Sequence, residues 1–284
     1  MAMAGPRQAR DGGAVRPLPP PSAATGVATG TSLFTTDALA LVSHATRGPG
    51  FQGAGAASDW WLPGPARLCL TLGEGTAAVQ LRKRRFGPIP RLAIIGPTDR
   101  AHRIETENAR VVSFAITPLG WSRLLRRPAS LYRNLVLPLG DLARPAVALA
   151  LADALAGTEP VGSTALDDLL TPLAPPHRDD ALILQLARLV DDPTTHQVRD
   201  MHVRLGISEA RLRSLALRHF GSPTKILLRH ARFLRSLARV DYTPGRNSYA
   251  DIDPTYHDVS HFLRDADYFL GTTPRRFRLL SSQH

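Results

Sequence analysis

Residues 206–221 read GISEARLRSLALRHFG, and residues 257–278 read HDVSHFLRDADYFLGTTPRRFR. Each stretch begins with a polar residue that can cap a helix, continues as a short amphipathic helix with an aromatic residue near its end, and then reaches a glycine. A short amphipathic helix preceded by a tight turn is typical of the reading helix of a helix-turn-helix. The sequence therefore predicts two DNA-binding units in the last third of the chain.

The first stretch has two clearly different sides. Ser208 is a suitable N-cap, and Gly206 permits the tight turn before it. At 3.6 residues per turn, the apolar side carries Leu212, Leu215, Ala216, His219 and Phe220. The opposite side carries Ala210, Arg213, Ser214 and Leu217, flanked by Arg211 and Arg218. Because an arginine can hold O6 and N7 of guanine, this side predicts a base-reading surface. The alternative is an ordinary surface helix with a solvated basic side.

The second stretch keeps the apolar side but is less basic. Phe262, Ala266 and Phe269 form its predicted back. The outward side and its edges carry Val259, Ser260, Leu263, Arg264 and Asp267. Because Asp267 would repel phosphates, this side matches DNA poorly on charge.

A helix predicted over Thr224–Val240 joins the two units. Four arginines recur along it at helical spacing: Arg229, Arg232, Arg235 and Arg239. A basic helix between two readers can hold backbone phosphates, which position a protein without specifying sequence. We predict phosphate contacts from Arg211, Arg218, Arg229 and Arg232, and the alternative for each arginine is a solvated helix face.

The charge is unevenly distributed along the chain. The 284 residues carry a formal net charge of +11, and 33 of the 35 basic residues are arginine. Residues 199–239 contain ten basic and two acidic residues, a net of +8, whereas residues 240–274 contain two basic and six acidic residues, a net of −4. A local basic stripe is the electrostatic footprint of a phosphate-backbone binder, and an acidic stretch is not. The single cysteine, Cys69, excludes an internal disulfide and fits a reducing compartment.

The first two thirds of the chain predict a different architecture. Residues 1–57 are rich in Ala, Gly, Pro, Ser and Thr, so we predict a largely disordered segment, with Met1–Ala28 disordered and a short helix at Thr36–Val42. Strand-like runs follow at residues 66–72, 77–86, 91–96, 102–106 and 110–116, separated by glycine and proline turns. Helices are predicted at 117–127, 146–155 and 166–170, with an extended link at 135–142. No apolar run approaches the ~20 residues of a membrane span, so no membrane partner is expected.

These patterns predict an α+β chain with two domains. A β-rich domain, cupin-like or a small barrel or sandwich, is expected over residues 58–175. An all-α domain is expected over 178–284, starting with a helix at 179–190. Unit one is predicted at about 197–221, the joining helix at about 224–240, and unit two at about 248–271, with helices at Ser248–Ile252 and Asp258–Leu270.

Residues 180–280 resemble the DNA-binding domain of the AraC/XylS family of bacterial transcription regulators. The resemblance is carried by VRDMHVRLGISEARLRSLALRHFG, by RHARFLRSL, and by HDVSHFLRDADYFLGTTPRRFR. It implies two helix-turn-helix units joined by a long helix and reading consecutive major grooves. The base-reading residues that it implies are Ala210, Arg213, Ser214, Val259, Ser260, Leu263 and Arg264. Residues 60–145 are similar to a β-rich effector or dimerisation domain found on some of these regulators.

The chain departs from the family pattern in the second unit. The segment from Ser248 to Tyr256 is about two residues short, with Pro254 where helix should continue and Thr255 near the usual glycine. Ala216 and Ala266 stand where the family normally packs a phenylalanine. We therefore expect the first unit to be the stronger reader.

Other residue patterns in the chain could indicate a metal site, a ligand pocket or a catalytic centre. His257 and His261 are spaced i, i+4 with an acid between them, loosely like a zincin motif, but no third ligand follows. His102 and Glu105 suggest a cupin-like metal pair, with a surface strand pair as the alternative. Trp60, Trp61 and Trp121 can line a ligand pocket or form core. No P-loop, GxSxG, GxGxxG or CxxC pattern occurs, so we expect no enzyme activity, no cofactor and no metal site.

The leading hypothesis is a sequence-specific, effector-responsive transcription regulator, an activator or a repressor, that reads double-stranded DNA mainly through the first unit. The alternative is a regulator whose second unit is degenerate and works partly through protein contacts. Expected partners are DNA, an unidentified small-molecule effector, RNA polymerase and a second copy of the chain. The expected location is the cytoplasm, on the bacterial nucleoid.

Overall fold

The computed structural model describes residues 34, 40–47, 55–155, 162–243 and 248–281. It has a β-sandwich of two antiparallel sheets in its first part and helices in its second part. The predicted fold class, a β-rich part followed by an all-α part, is confirmed. No helix in these residues is both long and apolar enough to span a membrane.

Two sheets form the sandwich. The five-stranded sheet has, in spatial order, β1 (Val42–Arg47), β8 (Arg110–Ile116), β3 (Arg67–Leu72), β6 (Leu92–Ile95) and β9 (Val136–Pro138). The four-stranded sheet has β2 (Ala56–Trp61), β7 (His102–Glu107), β4 (Thr76–Leu81) and β5 (Arg84–Phe86). Because side chains alternate along a strand, β3 turns Cys69 toward the facing sheet and Leu68 toward the helices.

The structure corrects the sequence prediction at the start of the sandwich. Strand β1 lies inside the segment predicted to be largely disordered, and it pairs with β8. Val42, the last residue of the predicted helix Thr36–Val42, begins this strand instead, and residues 36–39 lie outside the described residues. The alternation of apolar and polar residues in VSHATR covers only six residues, which is too short to predict a strand before its pairing with β8 is known. The prediction for Met1–Ala28 also lies outside the described residues.

Two further strand predictions need adjustment. The run 77–86 is two strands, because Arg82 adopts a left-handed conformation (φ 53°) and turns the chain between β4 and β5. Strand β2 lies where no strand was predicted, and it pairs with β7 along its length. Strand β9 falls within the predicted extended link at 135–142.

A short helical segment leaves the sandwich after β8. The predicted helix 117–127 is a brief α1 (Pro118–Gly120) followed by a π-helical turn, Trp121–Leu125. Thr117 caps it, because its Oγ1 accepts a hydrogen bond of 2.9 Å from the Gly120 N–H. The buried Trp121 donates its Nε1–H to the Arg127 carbonyl at 2.7 Å. Short 3-10 turns follow at Ala129–Tyr132, Leu139–Asp141 and Thr171–Leu173.

The helices of the second part follow the predicted order. They are α2 (Pro145–Leu155), α3 (Ser163–Leu170), α4 (Asp180–Asp191), α5 (Val198–Leu205), α6 (Glu209–Leu215), α7 (Thr224–Leu237), α8 (Val259–Leu270) and α9 (Pro274–Ser281). A π-helical turn, Ala216–Phe220, continues α6. The predicted helix Ser248–Ile252 is wrong, since these residues form turns. The carboxylate of Asp253 accepts from the Thr255 N–H and hydroxyl at 3.0 and 2.5 Å, and such local bonds favour a turn over a helix.

The cores of the two parts are continuous. Leu68 and Phe114 of the five-stranded sheet belong to the same buried cluster as Leu186 of α4 and Leu212 of α6. A second cluster joins Phe233, Phe262 and Phe269 of α7 and α8 with Ala101 and the half-buried Trp60 of the sandwich. Both helical units are therefore packed against the β-sandwich.

Candidate nucleic-acid interface

The turn between α5 and α6 has the geometry of a helix-turn-helix. Gly206 adopts a left-handed conformation (φ 63°) that favours glycine, and the Ser208 Oγ accepts from the Arg211 N–H at 3.2 Å. The back of α6 is locked, because Leu212, Leu215, Ala216 and Phe220 are buried. The opposite side, Ala210, Arg213 and Ser214, together with Arg218, is exposed. This helix therefore presents the predicted base-reading residues of unit one to solvent.

Helix α8 repeats this arrangement fifty residues later. Asp258 caps it by accepting from the His261 N–H at 2.6 Å, and Gly271 ends it at φ 73°, as Gly221 ends the first reading helix at φ 77°. Phe262, Ala266 and Phe269 are buried. Val259, Ser260 and Arg264 are exposed and Leu263 is half-buried. The four residues predicted to read bases in unit two thus share an accessible side.

Helices α6 and α8 are packed against different kinds of elements. Helix α5 precedes α6, whereas residues 248–258, which precede α8, form turns and no helix. Helix α8 is held instead by α7, by α9 and by Tyr256, which packs its ring against Phe262 at 5.5 Å. Unit two therefore consists of a capped helix, α8, that no helix precedes in residues 248–258.

A buried carboxylate fixes α8 to α7. Asp265 is buried, and it accepts hydrogen bonds from Arg229 Nε at 2.6 Å, from an Arg232 terminal nitrogen at 3.3 Å and from the Tyr256 hydroxyl at 2.8 Å. The guanidinium groups also stack on rings, Arg229 on Tyr268 at 4.4 Å and Arg232 on Tyr256 at 4.2 Å. The structure therefore places two of the four predicted phosphate-binding arginines on an internal anion.

A second internal pair explains much of the charge contrast between the units. Arg235 lies 3.7 Å from Asp253, and both side chains are almost completely buried. Three arginines of the basic segment, at 229, 232 and 235, thus neutralise two aspartates of the acidic segment. The surface of unit two is less acidic than its sequence suggests, so charge is a weaker argument against DNA contact there.

Asp179 joins the start of α4 to the reading helix of unit one. The Arg211 guanidinium contacts one carboxylate oxygen of Asp179, and His219 Nε2 lies 3.3 Å from the other. Burial raises the pKa of Asp179, but the hydrogen bond with His219 and the charge of Arg211 outweigh it, so this pKa is lowered. Burial lowers the pKa of His219 to about 4 against the opposing bond to Asp179. At neutral pH, Asp179 is ionised and His219 is neutral.

One loop of the sandwich contacts both reading helices. Residues 97–101 connect β6 to β7. A Cβ added to Gly221, at the end of the first reading helix, would lie 2.8 Å from the Pro97 ring. The Ala101 N–H donates to the Phe269 carbonyl at 2.7 Å. Asp99 accepts from the Tyr268 hydroxyl at 3.2 Å and from Asn134 Nδ2 at 2.8 Å. The sequence predicts a turn here, from the GPT at 96–98, but it gives no sign that the loop contacts the ends of the two helices.

The interior of the sandwich contains polar atoms that lack partners. Trp61 Nε1, Thr71 Oγ1 and His102 Nε2 are buried and form no hydrogen bond among the described residues. The Arg67 guanidinium lies 4.7 Å from the Trp61 ring, and the Trp61 and His102 rings are 5.9 Å apart. Burial lowers the pKa of His102 to about 4, so this imidazole is neutral. A buried polar atom without a hydrogen-bond partner destabilises the folded protein, and such atoms are therefore rare in native structures.

The other predicted sites separate in the structure. Strand β7 turns His102 inward and Glu105 outward, where Arg85 and Arg103 pair with it, so these two residues form no metal pair. His257 is exposed and His261 packs against Tyr256 at 5.0 Å. Trp61 and Trp121 are buried in different clusters, and Trp60 packs on Phe277 at 6.0 Å, so the three tryptophans line no shared site.

Comparisons with known proteins give only remote likenesses. No protein-family model and no curated protein matches the chain. The crystal structure of ToxT from Vibrio cholerae O395 has a TM-score of 0.45 at 11% identity, over 86% of this chain and 99% of that one. Wild-type ToxT with bound unsaturated fatty acid, from strain SCE256, has a TM-score of 0.43 at 10% identity, over 85% and 95%. The AraC-like transcriptional activator CuxR has a TM-score of 0.28 at 16% identity, over 64% and 73%. Likeness of this degree does not show what this chain binds.

Proposed function

We propose that the chain is a sequence-specific DNA-binding transcription regulator of the AraC/XylS type, which reads the major groove mainly through α6. The observation that carries this proposal is the exposed side formed by Ala210, Arg213 and Ser214 on a capped helix whose back is locked in the core. A reading helix needs this combination, because its side chains must enter the groove from a fixed backbone.

Arg213 is the proposed base reader of unit one, and its neighbours are the proposed phosphate contacts. Arg218 is exposed and available to a phosphate. Arg211 is half-buried and shares its charge with Asp179, so we assign it a weaker role. Arg229 and Arg232 were predicted from sequence to hold phosphates. Their bonds to Asp265 support a role in holding unit two, and phosphate contact by them is a secondary proposal.

Helix α8 is the proposed second reader. Val259, Ser260, Leu263 and Arg264 lie on its outward side, fifty residues after the corresponding side of α6. The competing proposal is that unit two contacts protein instead of DNA, and the turns at 248–258, in place of a supporting helix, favour it. Contact with RNA polymerase, activation or repression of transcription and a homodimer remain predictions of the same hypothesis.

A polar effector between the two sheets is part of the proposal. Trp61 Nε1 and His102 Nε2 lack hydrogen-bond partners among the described residues, and their rings lie 5.9 Å apart, so one polar small molecule could satisfy both. The loop 97–101, which contacts the ends of both proposed reading helices, joins β7 directly before His102. A screen for polar compounds that raise the Tm of the wild-type chain tests this. We expect Trp61→Phe, which removes the unpartnered N–H, to weaken the response to a hit compound. An unchanged response would remove the interior as its site.

Binding-site selection from random DNA with the purified chain tests the central proposal. We expect enrichment of a defined sequence by the wild type. We also expect Arg213→Ala to lose preference at one base pair, because a bidentate arginine–guanine contact contributes about 1–3 kcal/mol of discrimination. Arg91→Ala, an exposed arginine of the sandwich, is the matched control and should select the wild-type sequence. Failure of the wild type to enrich any sequence would refute the proposal.

A further inference from the structure

Three potential metal ligands meet between α4 and the end of the first reading helix. His177 and Asp179 lie just before α4, and His219 lies in the π-helical turn that continues α6. One ligand atom from each residue lies within 4.8 Å of the other two. His219 Nε2 is 3.3 Å from Asp179 Oδ2, and His177 Nδ1 is 4.0 Å from the same oxygen. No other part of the described chain brings three such groups together.

These separations suit a tetrahedral ion. Zn²⁺ bonds to imidazole nitrogen and carboxylate oxygen are about 2.0–2.2 Å long, which places neighbouring ligand atoms of a tetrahedron about 3.3–3.6 Å apart. The pair formed by His219 and Asp179 already has this separation. The His177 Nδ1 must move toward the other two ligand atoms to complete the set, and its side chain is 22% exposed, on the solvent side of the cluster.

The hydrogen bond made by His177 is compatible with a ligand role. His177 Nδ1 accepts a hydrogen bond of 3.2 Å from the Asp179 N–H, so that nitrogen carries no proton, and a metal would exchange this bond for a coordinate one.

We propose that His177, Asp179 and His219 bind one divalent transition-metal ion of the Zn²⁺ class, with a solvent molecule as the fourth ligand. Two imidazoles and a carboxylate suit zinc and its neighbours better than Mg²⁺ or Ca²⁺, which take oxygen ligands. Arg211 contacts the second oxygen of Asp179 and orients the carboxylate, as outer hydrogen-bond partners do at many metal sites. The half-exposed His177 provides the way in from solvent.

The site lies where an ion would connect the two parts of the chain. Residues 174–179 lead from the helices packed on the sandwich to α4, and His219 directly follows the exposed Arg218. A bound ion would tie this junction to the reading helix and would compete with Arg211 for the charge of Asp179. The site was not expected from sequence, because the ligands are separated by forty residues and follow no ligand-spacing motif.

Metal content of the untagged full-length chain tests the proposal without DNA. After incubation with Zn²⁺ and removal of free ion, we expect one zinc per chain by elemental analysis. With Co²⁺ as the probe, we expect the visible absorption of a tetrahedral site and a raised Tm. We expect His219→Gln to abolish binding, and His177→Gln to reduce the bound zinc below one per chain, because each substitution removes one of the three protein ligands.

His257→Gln is the matched control, because His257 is exposed and outside the cluster, and it should bind metal as the wild type does. His177→Gln replaces a partly exposed ring and should fold normally. This variant therefore tests the metal site even if His219→Gln does not fold. Absence of stoichiometric zinc from the wild-type chain would overturn the proposal. Equal binding by the wild type and His177→Gln, or loss of binding in His257→Gln, would overturn it as well.

Discussion

Removing the charge of Asp265 should lower the stability of the chain substantially, because this buried anion accepts hydrogen bonds from two arginines and a tyrosine. The substitution Asp265→Asn keeps the shape of the side chain and removes its charge. The Asp265 side chain is 2% exposed, and those of Arg229 and Arg232 are 29% and 22% exposed. Removing one partner of a buried ion pair costs about 3–5 kcal/mol, and the partial solvent contact of the arginines places the loss near the lower limit, about 3 kcal/mol.

Hydrogen exchange of α8 measures this loss locally. A destabilisation of about 3 kcal/mol accelerates exchange of the α8 amides about a hundredfold where they exchange through opening of unit two. Asp267→Asn is the matched control, since Asp267 is exposed on the same helix and the change is chemically identical; we expect an effect within about 0.5 kcal/mol. If Arg229 and Arg232 serve phosphates rather than Asp265, Asp265→Asn would leave exchange unchanged and tighten DNA binding. That result would refute the internal role assigned to the two arginines.

Three further predictions concern the reading helices and their surroundings. Arg218→Ala should weaken binding to specific and random DNA alike and lower the salt dependence of affinity by about one released ion; an unchanged salt slope would remove the phosphate contact. Gly221→Ala should destabilise the chain more than Gly271→Ala, because both have positive φ but only the first would press a Cβ against Pro97, adding about 1–3 kcal/mol of overpacking; equal losses in urea unfolding would contradict this. The pKa of His230 is lowered by burial to about 4. Below its ordinary value of about 6.5 the unfolded chain therefore takes up a proton that the folded chain does not. The free energy of unfolding should fall as pH drops from about 6.5 to 4. In His230→Gln this fall should be less steep than in the wild type, by up to about 1.4 kcal/mol per pH unit. Parallel pH curves for the two proteins would contradict the buried neutral imidazole.

The local sequence pattern was sufficient to predict helices α6 and α8. The caps Ser208 and Asp258 and the terminal glycines Gly221 and Gly271 stand at fixed distances from apolar residues of helical period, so both ends and the buried side of α6 and α8 follow from neighbouring residues. Exposure of the predicted base-reading residues follows from the same period.

Partners distant in sequence account for what local pattern missed. Arg229 and Arg232 look like a solvated basic stripe until Asp265, more than thirty residues away, is placed behind them. A signal was present, because Asp265 falls on the apolar side of α8 beside Phe262 and Phe269, and a buried carboxylate needs cations. Strand β1 could not be predicted without its partner β8. The contact of the Asp99 loop with α8 could not be predicted either, because it depends on Tyr268, which is distant in sequence.

A hydroxyl-radical footprint on a selected DNA site tests most directly whether two reading helices act on one duplex. We expect two protected patches about 10 base pairs apart on the same face of the duplex, one for each major groove. Arg264→Ala should lose the second patch and keep the first, since Arg264 lies on the outward side of α8. Protection of a single groove by the wild type would contradict bipartite reading and support the proposal that unit two contacts protein.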